Sequence, residues 1–329
     1  MNEKNSKTIK GSRNNRSLKR TFSTIFVNQS VFLIVLMVII GIVVSLINPK
    51  FLAIQNLFNI ILQVSVTGII CAGMGTVLIS GNFDLTVGPQ ISILGIVMAL
   101  LVTRYSIALT IVSVIVLGLI IGTINGFLVT RIRAHSFIVT LALSTVYTGV
   151  ALLISGGKYT SLGGRFGFFI GKLFNIIPLP TIVFVIIILA IFVVYRYTKF
   201  GRLLFAIGGN AEAAYLSGVK VKLHKVLSFT LAGGLYGVAT LVLISQLGVA
   251  YPTTGNAYTL TALAAIVIGG IALQGGKGSA LGIFLGAIMF GLINNSLIVT
   301  GVNPFWRDVT LGFIILFAVM FSGMITKAE

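Results

Sequence analysis

Almost uncharged apolar runs of about 20 residues recur from one end of this chain to the other, and that recurrence limits the fold more than any motif does. The first runs from Val31 to Ile47. Others fall near residues 57–79, 90–103, 107–130, 137–154, 181–197, 226–247, 259–273, 279–299 and 309–324, which makes ten candidate spans. The runs are continuous, without the alternation a barrel strand needs, and a segment in lipid must satisfy its own backbone. The expectation is therefore an all-α polytopic membrane protein of about ten transmembrane helices. The runs at 90–103, 259–273 and 309–324 are short for a bilayer and are expected to extend into flanking residues, tilt little or re-enter. Composition agrees: 9% of the residues are charged, where a soluble domain carries about 25%.

A net charge of +18 would suit a nucleic-acid partner, but the bases sit between spans rather than on one folded face. The partner they imply is membrane lipid, and no nucleic acid is expected. Residues 1–30 form a basic tail read as disordered and cytoplasmic, and 31–325 form the membrane domain. Val31 to Ile47 resembles a signal-peptide core, yet Asn48, Pro49 and Lys50 follow it instead of a small-x-small cleavage site, so an uncleaved first span is expected. With the N-terminus inside, seventeen Lys and Arg fall on the inner side and six on the outer, which places both termini in the cytoplasm and the chain in the cell membrane. Cys71 is the only cysteine and lies in an apolar run, which excludes a disulfide framework or a cysteine zinc site.

One polar island interrupts the pattern, from Lys199 to Lys225. Within it, Asn210 is suited to cap a helix start, Glu212 lies in the first turn where a negative charge suits the dipole, and Gly218 is suited to end the helix. About two turns result, too few to persist in water unless held by neighbours or a partner. Gly208, Gly209, Asn210, Glu212, Ala213, Ala214, Leu216 and Gly218 are thus candidates for a cytoplasmic docking helix; the alternative is a solvated loop.

Glycine, at 38 residues, is well above its usual share of about 7%. Gly118, Gly122 and Gly126 recur at a spacing of four, as do Gly233 with Gly237 and Gly282 with Gly286, which favours close helix packing. Two echoes suggest an internal repeat: Val77 to Gly81 resembles Ile266 to Gly270, and Gly122 to Asn125 resembles Gly291 to Asn294. In a ten-span topology the second pair points opposite ways, which leaves chance similarity or a re-entrant segment.

Of five acidic residues, Asp84 alone lies amid the spans, in a glycine-bounded stretch from Gly81 to Gly88 that implies a broken helix. It is expected to cap the next span, to act in transport, or to do both. Gly81, Asn82 and Asp84, with Asn125, Asn294 and Asn295, are the candidates for a translocation path or gate. His135 and His224 sit among bases and are read as surface residues. No Ser-His-Asp set and no metal-ligand spacing is present, so neither an enzyme nor a resident cofactor is expected. Gly275 to Ser279 lacks the phosphate-loop order, so a transporter of this kind needs an external motor.

Four blocks carry a family resemblance: Gly73-Met74-Gly75 through Gly88, Ile124-Asn125-Gly126 to Leu141, Phe200-Gly201-Arg202 to Val221, and Ile268-Gly269-Gly270 to Trp306. In them the chain resembles the ribose-type permeases, membrane subunits of bacterial ATP-binding-cassette importers for ribose, other monosaccharides, autoinducer-2 and nucleosides. The resemblance implies that the island helix is a coupling helix seated in a cytoplasmic ATPase, which binds the ATP. It also implies that a substrate-binding protein delivers cargo outside and that a second permease copy or paralogue encloses the path. Asn82-Phe83 and Thr86 depart from the usual Gly-Ile and Ser, and Ala134-His135-Ser136 stands where Pro-Pro is common, so a looser turn is expected there. An ion-coupled carrier and a membrane scaffold are the alternatives.

Overall fold

The computed structural model describes residues 29–173 and 177–303, with 306, 309, 310, 312, 313 and 316. The chain forms helices α1 (Gln29–Ile47), α2 (Ile54–Ile79), α3 (Val87–Val102), α4 (Ile107–Arg131), α5 (Ser136–Ser155), α6 (Leu179–Tyr197), α7 (Lys199–Gly209), α8 (Ala211–Leu216), α9 (Val221–Leu247), α10 (Asn256–Ile268) and α11 (Ala280–Val299). Seven of them, α1, α2, α4, α5, α6, α9 and α11, are long and apolar enough to cross a membrane, whereas α3 and α10 are shorter. The expected run at 309–324 and the tail to residue 28 lie essentially outside the described residues.

Local chemistry explains several helix ends. Ser106 caps α4 by accepting from the Leu109 N–H, and Ser279 caps α11 by accepting from Gly282 N–H at 2.9 Å. Gly156 and Gly248, both with positive φ, close α5 and α9. The turn at 132–135 is not loose. His135 Nδ1 accepts from Phe137 N–H at 3.3 Å, and Ser136 Oγ accepts from Phe83 N–H at 2.9 Å. The Phe83 and His135 rings lie 5.9 Å apart, so the two stretches that depart from the expected pattern pack on each other.

The helices form an inverted repeat. α2–α3–α4 and α9–α10–α11 each consist of a long helix, a glycine-bounded break, a short helix and a third helix. The first break runs from Gly81 (φ 76°) to Gly88 and the second from Gly248 (φ 70°) to Gly255, with the same spacing of seven. The halves run in opposite directions. α2 ends where Gly276 N–H donates to Ile79 O at 2.9 Å, beside the island, whereas α9 begins at the island. The second echo is explained by this symmetry, since Asn125 on α4 and Asn294 on α11 are mates. The first is not, because the segment ending at Gly81 closes α2 and the one ending at Gly270 closes α10, and α2 is matched with α9.

The short helices meet head to head. Gly88 N–H donates to Thr259 Oγ1 and Gly255 N–H donates to Ser92 Oγ, both at 3.0 Å. A Cβ on Gly88 would lie 2.7 Å from Gly255 O, so only glycine allows this contact. α4 crosses α9 with equal closeness: a Cβ on Gly126 would lie 2.7 Å from Val226 Cα, and one on Gly118 would strike Gly233 O. The glycine spacing is thus a packing device.

Two ends of the bundle follow. At one end residues 79–83, 132–136, 199–225 and 270–279 converge, with Arg131, Arg133, Lys199, Arg202, Lys220, Lys222 and Lys277; this is the basic end. At the other, β1 (Thr160–Ser161) pairs with β4 (Val249–Ala250), while β2 (Lys172–Leu173) pairs with β3 (Ile177–Pro178). There Leu162 and Phe166 are buried, and Arg165 Nη1 donates to Val102 O at 2.7 Å, so this segment plugs the bundle end rather than floating over it.

Candidate functional site

The island folds as two helices, not one. α7 is capped by Thr198, whose hydroxyl accepts from Gly201 N–H at 3.0 Å, and carries its apolar side inward through Leu204 and Ile207. Asn210 then ends α7 and caps α8, its Oδ1 accepting from Ala213 N–H at 2.9 Å. Gly218 (φ 83°) closes α8 as expected. The residues divide by face. Ala214 is buried against the bundle, whereas Tyr215 and Leu216 are 69% and 79% exposed and Glu212 and Ala213 also face outward. An exposed tyrosine and leucine on a two-turn helix form a surface suited to docking.

Gly208 is not part of that surface. A Cβ there would strike Ile79 O and Gly276 N, while one on the adjoining Gly209 would meet open space. Gly81 and Gly275 close the same junction; a Cβ on Gly275 would lie 2.6 Å from Gly81 Cα. The end of α7, the end of α2 and the turn between α10 and α11 are therefore locked backbone to backbone, directly beside α8. The turn that superficially resembled a phosphate loop is a partner in this junction.

From Gly81 the chain enters the first break, where a directed set of hydrogen bonds converges on Asp84. Thr86 N–H and Thr86 Oγ1 donate to Asp84 Oδ1 at 2.9 and 2.5 Å, and the Tyr236 hydroxyl of α9 donates to Oδ2 at 3.2 Å. Asn125 Nδ2 of α4 donates to Thr86 Oγ1 at 2.8 Å, and the Tyr147 hydroxyl of α5 donates to Asn125 Oδ1 at 2.6 Å. Asn82 turns back onto Ser80, its Nδ2 donating to the Ser80 O and Oγ at 3.1 and 2.9 Å. Asp84 thus takes the N–H of Thr86, the residue before α3, and reaches α9 through Tyr236, while Thr86 and Asn125 extend the network to α4 and α5. The geometry places Asp84 between the residue before α3 and the Tyr236 hydroxyl of α9.

Asn294 and Asn295 lie elsewhere, near the opposite end. Asn295 and Asn56 exchange two bonds, at 2.8 and 2.9 Å, and Asn294 Nδ2 donates to Gln63 Oε1 at 3.1 Å. The six path candidates therefore form two groups, not one. Tyr147, Tyr236, Asn56 and Gln63 are partners the sequence reading missed. For Asn56, Asn59 and Gln63 a signal existed, since spacings of three and seven place them on one helix face. The tyrosines had none. Among the described residues no three His, Cys, Asp or Glu cluster as a metal site, and Cys71 is buried with Sγ directed at Ala262 O, 3.7 Å away.

Residues 56–319 match the family described as branched-chain amino acid transport system / permease component. The chain is 39% identical over 286 residues to the ribose import permease protein RbsC of Bacillus subtilis (strain 168), covering 86% of this chain and 89% of the relative. It is 34% identical to the protein of the same name from Escherichia coli (strain K12), over 92% of this chain and 96% of that one. The galactose/methyl galactoside import permease protein MglC of Escherichia coli (strain K12) is 31% identical, over 93% and 97%. No solved structure matches.

Proposed function

The chain belongs to this permease family, and on that premise we propose that it is the membrane subunit of an ATP-binding-cassette importer for a monosaccharide such as ribose. It is a transport component, and the motor is a separate cytoplasmic ATPase that binds the ATP. A substrate-binding protein presents the sugar at the opposite end, and a second permease copy or paralogue completes the path. The basic end faces the cytoplasm, in keeping with the positive-inside rule, so both termini are cytoplasmic and the chain resides in the cell membrane.

One observation carries the coupling role. α8 is the short helix that is capped at its start, exposed on its outer face at Tyr215 and Leu216, and joined through Gly208 to the end of α2. A push on α8 reaches Ile79 and Gly276 without a flexible side chain between them. The first break, with Gly81, Asn82, Asp84 and Asn125, is the gate element next in line.

Ala213→Trp tests this on the intact transporter. Overpacking a tight contact costs about 1–3 kcal/mol, which weakens ATPase association about 5- to 150-fold. Co-purification and sugar uptake should fall together at an unchanged membrane level. Parental association and uptake would remove α8 from the coupling role. Uptake that survives loss of the ATPase and collapses with the ion gradient would identify a secondary carrier instead.

A further inference from the structure

Polar side chains at membrane depth are costly unless satisfied, so the way each is satisfied is informative. Asn125, Asp84 and Thr86 are buried and bonded to protein groups at every carbonyl, carboxylate or hydroxyl oxygen. Asn56 and Asn295 are closed by their mutual pair of bonds, and Asn56 Nδ2 also donates to Phe51 O at 2.9 Å. The neighbouring pair of Asn294 and Gln63 is different. It shares one bond, from Asn294 Nδ2 to Gln63 Oε1. Asn294 is 9% exposed, and its Oδ1 is buried without a partner among the described residues. Gln63 Nε2 makes no bond among the described residues, and Gln63 is half-buried. Asn59, one turn before Gln63 on the same face of α2, is exposed.

This leaves an open acceptor at Asn294, an open donor at Gln63 and a free carboxamide at Asn59. Neither α2 nor α11 contains an Asp, Glu, Lys, Arg or His, so nothing on either helix would neutralise a charged ligand. Carboxamides donate and accept from one planar group, which matches a hydroxyl that must do both. From this geometry we infer that Asn59, Gln63 and Asn294 form a binding site for an uncharged polyhydroxyl ligand, a sugar in ring form, on the route through the opposite half of the bundle. The site rests on the importer reading above and adds the residues that hold the cargo.

The decisive measurement is saturation-transfer NMR on the purified permease–ATPase complex, without the binding protein, with ribose and galactose as probes. The parent should show transfer to at least one sugar. Gln63→Leu and Asn294→Leu should each weaken that binding about fivefold, the scale of one lost hydrogen bond, and Asn59→Ala about twofold. Tyr147→Phe, within the closed network, should leave it unchanged. Parental binding in Gln63→Leu and Asn59→Ala overturns the site, even if Asn294→Leu fails to accumulate. So does a parent complex that binds neither sugar while the assembled system imports one. If the system with its ATPase and binding protein imports neither of them nor any other sugar, the importer reading itself fails, which is a separate outcome.

Discussion

The first break, from Gly81 to Gly88, has no exposed residue; the second, from Gly248 to Gly255, exposes Tyr251 and Thr253 at the opposite end. In the first, Asn82, Asp84 and Thr86 are buried; Thr86 is bonded to α4 and Asp84 to α9. In the second, Tyr251 is 46% exposed with its ring 6.0 Å from that of Tyr159, and Thr253 is exposed. β4 pairs with the short strand β1, and Ala250 and Gly255 are buried points of this break. The same contrast separates the mates Asn125 and Asn294, one occupied at both its carbonyl and amide, the other with an idle acceptor. A repeat fixes the path of the backbone twice. It does not fix the side chains, so one Asn of the pair is bonded at both ends while the other keeps an unpartnered oxygen. Where backbone leaves the helix inside a membrane protein, it must find partners or water. The first break finds side chains of other helices, the second a short strand pair and Ser92.

Substitutions that remove the brace should therefore hurt most. Asp84→Leu strands the donors on Thr86 and Tyr236 in a buried site, and unsatisfied groups cost about 1–3 kcal/mol each, so a loss of about 3 kcal/mol or more is expected. Tyr251→Ala, at the mated position of the second break, should stay within about 0.5 kcal/mol. Thermal unfolding in detergent at matched yield measures both, and equal losses would erase the contrast. Asp84→Asn should be mild, because its carbonyl still accepts from Thr86 and the Tyr236 hydroxyl can rotate.

Gly208→Ala comes next. Its Cβ would press on backbone atoms of Ile79 and Gly276, at about 1–3 kcal/mol, and should uncouple uptake from ATP hydrolysis while the ATPase still docks. Gly209→Ala, with open space around it, is the control and should match the parent in both assays. Identical behaviour of the two would mean that the junction transmits nothing.

The smallest effect sharpens the comparison of mates. Asn125→Ala removes two buried bonds and should cost about 1–3 kcal/mol, while Asn294→Ala removes one and relieves an unpaired oxygen, for about 1 kcal/mol or less. Unfolding midpoints of the two variants give the order. If Asn294→Ala is the more damaging to stability, its side chain serves the fold and not a ligand.

Much of this was readable from residues alone. Nine of the ten expected runs coincide with helices, because a segment in lipid must close its hydrogen bonds within itself and its own apolar length decides that. The cap at Asn210 and the stop at Gly218 were likewise local, each set within one turn of chain. The reading erred where a residue depended on distant ones. α7 was missed because its inward face, Leu204 and Ile207, is a property of the bundle it rests on. Asp84 meets Tyr236 across 152 residues and Asn294 meets Gln63 across 231. No short-range pattern marks such pairs, since they arise only when glycine-faced helices choose their crossing partners and bring two remote positions to the same depth. The sequence by itself determined that the chain is an all-α membrane protein, where nine of its apolar helices lie and where the short island helix starts and stops. Tertiary packing alone decided that the halves are inverted mates and that one Asn of the pair is closed while the other is open. Helix formation is local in energy, whereas the face a helix presents to its neighbour is not.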